Sequence, residues 1–121
     1  MIDPTNGRFT WTPPLSQGPA TNLVTVRVTD NGIPNLSDTR SFNVVVVPPP
    51  MIESIVPTGE SVAITWSAIA GRTYRVQFKS DLGESDWNDL AGDVTSNGST
   101  ASKTDTTISG PQRAYRVVLL P

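Results

Sequence analysis

Proline and glycine cut this chain into pieces too short for helices. Eleven prolines and nine glycines are spread over 121 residues, and no stretch both escapes them and keeps an apolar period of 3.6 over a helical length. Between them lie segments rich in Thr, Val and aromatic residues that alternate apolar with polar, the pattern of half-buried antiparallel strands. The expected fold is therefore all-β, an antiparallel β-sandwich with little or no helix.

Strands are predicted at residues 8–12, 22–29 and 39–47, then at 51–56, 61–67, 73–79, 87–90, 101–107 and 113–120. Val24, Val26 and Val28 alternate with Thr25, Arg27 and Thr29, which makes one face apolar and the other wet. Asp30, Asn31 and Gly32 open the following connection with residues that tolerate positive φ. Pro48, Pro49 and Pro50 cannot donate ladder hydrogen bonds and favour an extended connector, so residues 1–48 and 49–121 are read as separate parts. In the second part Ile64 and Trp66, then Tyr74, Val76 and Phe78, then Tyr115, Val117 and Leu119 should converge on one core. The first part has three strands and few large apolar side chains, too little to offset the entropy of ordering them. It is expected to need a partner, either the second part or another copy in a strand-exchanged homodimer.

Histidine and cysteine are both absent, which removes the commonest general base, the thiol nucleophile and the usual transition-metal ligands. Catalysis is not expected. A net charge of −2 leaves no basic face to neutralise phosphates, so nucleic acid is not an expected partner. The apolar run at residues 44–47 is only four residues long and stops at Pro48, and membrane insertion is not expected either. Met1 is not followed by a basic and then an apolar segment; the signal peptide of a secreted parent would lie upstream.

Two kinds of residue are candidates for a site. Trp87 sits between Asp86 and Asn88, with Asp89 next, and Trp11 sits just before Pro13 and Pro14. An exposed indole can stack on the apolar face of a sugar while such neighbours bond its hydroxyls; the alternative is that each ring caps the edge of the core. Trp66 shares a face with Ile64 and is read as core. Asp81, Glu84, Asp86, Asp89 and Asp93 crowd one stretch with Gly83, Asn88 and Gly92, which offers hard oxygen ligands to calcium or, alternatively, a solvated acidic loop. Asp3, Asn6, Asp30, Asn31 and Asp38 form a second cluster, open to turn chemistry or to metal binding.

The segments "DPTNGRFTWTP" and "VTVRVTDNGIPNLSDTRSFNVVV" resemble the end of a bacterial cadherin-like or immunoglobulin-like repeat over residues 3–47. The resemblance rests most on "VTDNGIPNLSDT" and places Asp30 where that family ligates calcium, but the family's Leu-Asp-Arg-Glu sequence and its acidic linker are missing. The segments "VAITWSAIAGRTYRVQFKSDLGESDWNDLAGDV" and "QRAYRVVLLP" resemble a fibronectin type III-like module of large secreted bacterial proteins, with Trp66, Tyr74 and the Tyr115-Arg116-Val117 strand at matching places and no counterpart of the last strand. Such modules commonly accompany polysaccharide hydrolases. The implied function is that of a non-catalytic accessory domain of a larger extracellular protein, binding a β-glucan-type polysaccharide through exposed aromatics. The alternative is a passive spacer or adhesive surface domain.

Overall fold

A computed structural model describes all 121 residues except the side chain of Leu15. Strands make up 49% of the chain and helix 2%, so the fold is all-β; a single 3₁₀ turn lies at Leu15–Gln17. The strands are β1 (Ala20–Thr29), β2 (Ser37–Val46), β3 (Ile52–Thr58), β4 (Ser61–Ser67), β5 (Thr73–Lys79), β6 (Asn88–Asp89), β7 (Val94–Thr95), β8 (Thr100–Asp105) and β9 (Ala114–Leu119). All their pairings are antiparallel. Two compact units result, Met1–Pro48 and Pro49–Pro121, divided within the proline run.

In the first unit β1 and β2 pair along their whole length, from Ala20 opposite Val46 to Thr29 opposite Ser37. Val24 and Val26 are half-buried on one face, and Val24 lies opposite Phe42. The Phe42 ring meets Phe9 edge-on at 6.1 Å. Phe9 is held by one bridge to Ile2, which is all that forms of the strand predicted at 8–12: its only ladder partner is the short stretch before it, and Pro13 and Pro14 end it. The β1–β2 turn is organised by Asp30, whose Oδ1 accepts from the N–H groups of Gly32 (3.0 Å) and Leu36 (2.9 Å). Among the described residues of this unit none is fully buried, and Leu23, Val28 and Val45 stand more than half exposed.

The second unit is a β-sandwich of two sheets. One has the order β3-β4-β8; in the other β5 is central, with β9 along one side and β6 and β7 in succession along the other. Ile64 and Trp66 of β4 face Tyr74 and Val76 of β5 across the core, joined by Leu90, and all five are buried. Trp66 and Tyr74 meet edge-to-face at 6.1 Å, and the Tyr74 hydroxyl accepts from the Ile69 N–H at 2.8 Å. Tyr115, Val117 and Leu119 pack on the same cluster from β9, so the alternation read from the sequence is the alternation that fills the sandwich.

Two polar side chains fasten its edges. Lys103 of β8 donates from Nζ to the carbonyls of Leu90 (3.1 Å), Ala91 (2.5 Å) and Gly92, drawing the β6–β7 turn against the opposite sheet. Asp105, at the end of β8, is fully buried. It accepts from the N–H and hydroxyl of Thr107 (2.8 and 2.7 Å), from Arg113 Nη1 (2.5 Å) and from the Tyr115 hydroxyl (2.8 Å). Burial pushes the Asp105 carboxyl up, but these hydrogen bonds outweigh it and hold the group below its ordinary value. The same burial, with the bond to Asp105, pushes the Tyr115 hydroxyl up to about 12.

Candidate functional site

The outer face of the β5 sheet follows from its inner one. With Tyr74, Val76 and Phe78 turned to the core, the alternate residues Thr73, Arg75, Gln77 and Lys79 face outward. Register then brings Arg116 of β9 to one side of Gln77 and Asp89 of β6 to the other. A continuous row forms. Arg116 Nε donates to Gln77 Oε1 at 2.7 Å, and Gln77 Nε2 donates to Asp89 Oδ1 at 2.5 Å. Asp89 Oδ2 accepts from Arg75 Nη1 at 3.0 Å, and Arg75 closes the row with two bonds to Asp93, at 2.8 and 2.9 Å.

Trp87 stands at one end of this row, half-buried and outside the core cluster. The Arg116 guanidinium carbon lies 4.6 Å from its ring centroid and Lys79 Nζ lies 5.2 Å from it, both over the ring. Such contacts are attractive because the cation meets the negative face of the indole. The charges along the row are unevenly shared. Arg75 faces two carboxylates, which raise its pKa further above the guanidinium range, while its hydrogen bonds hold Asp93 below the ordinary carboxylate value. Arg116 and Lys79 make no ion pair among the described residues; Lys79 donates instead to the Glu84 carbonyl.

Of the residues singled out from the sequence, the structure therefore brings Trp87, Asp89 and Asp93 to one face, together with Arg116, Gln77, Lys79 and Arg75, which the sequence reading missed. Asp86 is exposed and accepts from Ser85 Oγ at 3.2 Å, and Asn88 turns to Glu84 Oε2 at 3.2 Å. Trp11 belongs to the first unit and is half-buried there. The signal that could have found Arg116 is its place on an alternating strand: flanked by core-facing Tyr115 and Val117, it has to point outward.

The acidic residues read as calcium ligands are taken up by their own turns or by Arg75. Asp81 Oδ1 accepts from the Gly83 N–H at 2.7 Å, and Glu84 Oε1 accepts from the N–H groups of Ser80 and Asp81 at 3.2 and 3.0 Å. Asp89 and Asp93 face Arg75. Asp30 is held low by the Leu36 and Gly32 N–H groups of its own turn. Among the described residues no three side chains of the His, Cys, Asp and Glu types are gathered where they could hold a metal ion.

A cavity of about 610 Å³ opens elsewhere on this unit, between the β3–β4 turn and the loop before β9, lined by Ile55, Pro57, Val62, Ile108, Arg113 and Tyr115 among others. Its guanidinium is already engaged with Asp105. Compared with known protein families, characterised proteins and solved structures, the chain finds no match.

Proposed function

We propose that this chain is a non-catalytic accessory module of a secreted bacterial protein and that it binds polysaccharide on the outer face of its second unit. The observation that carries this reading is Trp87, a large ring left outside the core and partly open, at the end of a row of side chains fixed by one another. An indole offers a sugar an apolar platform, and the row offers donors and acceptors already in position, so little ordering entropy is lost on binding. Catalysis does not fit the same face. Glycoside hydrolysis needs one carboxyl that keeps its proton, whereas Asp93 and Asp89 lie against Arg75 and Asp93 is held ionised. The resemblance of residues 49–121 to fibronectin type III-like modules supports the extracellular setting.

A second reading, a spacer or adhesive domain with no small ligand, draws on the same ring: two cations already lie over it, and that cover reduces the apolar area left for a sugar. Affinity electrophoresis through gels containing β-glucans, xylans, mannans and pectins separates the two. The module reading expects retardation of the chain by at least one glycan and its loss in Trp87→Ala with the melting temperature kept. Free migration of the parent through every gel would leave the spacer.

A further inference from the structure

The cations beside Trp87 differ from the other cation of the row. Arg75 has two carboxylates, but Arg116 and Lys79 have none among the described residues. Arg116 is also fixed in place. Its Nε is bound to Gln77 Oε1 at 2.7 Å, Gln77 is bound in turn to Asp89, and its guanidinium lies over the indole at 4.6 Å. Its terminal nitrogens Nη1 and Nη2 donate to no group among the described residues. The result is a planar fork of unused donors, held beside an apolar ring before any ligand arrives.

That arrangement selects among sugars. A neutral pyranose can stack on the part of the ring that the two cations leave open and bond the row through its hydroxyls, but it leaves the charge of the guanidinium unmatched. A sugar bearing a carboxylate can take both terminal nitrogens of the guanidinium in parallel hydrogen bonds, a geometry that Arg fits and Lys does not. Its C–H face then covers the open part of the indole, and the cation–π contacts stay in place. Resting on the glycan-binding reading above, we propose that the polysaccharide recognised at Trp87 is acidic, a chain of uronic acid units whose carboxylate is read by Arg116 with Lys79 adding attraction. This replaces the β-glucan-type expectation with a charged class of polysaccharide. Exposed Asp86, next to Trp87, repels such a ligand and keeps the affinity low.

The test is titration calorimetry on the whole chain with oligogalacturonate, its methyl ester, a neutral cello-oligosaccharide of equal length, and polyglutamate. The acidic-glycan proposal expects oligogalacturonate to bind best and binding to weaken as salt is raised. It expects the ester, and the variant Arg116→Gln, to lose about tenfold or more, the size of one charge-assisted hydrogen bond. Arg116→Lys should fall between the parent and Arg116→Gln, and all variants should keep the parent's melting temperature. Binding of the ester or the neutral oligosaccharide as tight as that of oligogalacturonate would overturn the acidic class while leaving the glycan reading intact. No binding of any sugar would overturn both, and polyglutamate binding as tightly as oligogalacturonate would assign the face to acidic peptides instead.

Discussion

Arg113 Nη1 donates to Asp105 Oδ2 at 2.5 Å, with the two side chains only 5% and 0% exposed, so a single ion pair fastens the end of β8 to the start of β9 out of reach of water. Removing one partner leaves the other charge buried and uncompensated. Arg113→Met is expected to cost about 3–5 kcal/mol in urea unfolding, while Arg75→Met, on the exposed face, is expected to change stability far less. Equal, small losses in both would show that water reaches Asp105.

The same cluster sets a pH window. The folded Asp105 pKa lies below the ordinary 3.8, so the carboxylate's contribution is complete above that value and is lost as the pH falls below it. The folded Tyr115 pKa is raised from 10.0 to about 12, so the contribution of the neutral hydroxyl is complete below 10.0 and is lost as the pH rises through 12. Urea midpoints measured across pH should form a plateau that falls at both ends. Tyr115→Phe should flatten the alkaline limb; an alkaline limb of unchanged size in that variant would contradict the assignment.

Trp66 is fully buried and lies edge-on to Tyr74 at 6.1 Å. Trp66→Ala should cost about 3–5 kcal/mol through the cavity it leaves, a large part of the stability of a module this size. A melting temperature close to the parent's would contradict its place at the centre of the core.

Residues 1–48 should show no cooperative thermal transition by themselves, because none of their described residues is fully buried and a two-stranded sheet is marginal in water. Residues 49–121, with the five-residue buried core, should melt cooperatively. Circular dichroism of the two fragments checks both; a sharp transition in a monomeric 1–48 fragment would contradict the first.

The strands that make the sandwich were readable where one face is apolar and the other wet: Ile64 and Trp66, Tyr74 and Val76, and Tyr115 and Val117 all alternate as their burial does. What escaped the pattern escaped for physical reasons. Val94–Thr95 is two residues long and set among Gly92, Asp93, Ser96 and Asn97, which read as loop. Lys103 and Arg113 carry charge inward, against the alternation, because carbonyls and a carboxylate wait for them. The candidate site was half readable. Trp87 announced itself among polar neighbours, but Asn88 turns to Glu84, and the groups that meet the ring come from β5 and β9. Gln77 and Arg116 are 39 residues apart in sequence, and only the pairing register puts them side by side.

The most direct measurement is nuclear magnetic resonance of the three tryptophan indole N–H signals during titration with oligogalacturonate. Trp66 is sealed in the core and Trp11 belongs to the other unit, so the account predicts that the Trp87 signal alone moves, saturably, and that the shift disappears in Arg116→Gln. A Trp87 signal that stays in place while the oligosaccharide binds, or while another indole moves, would contradict the account.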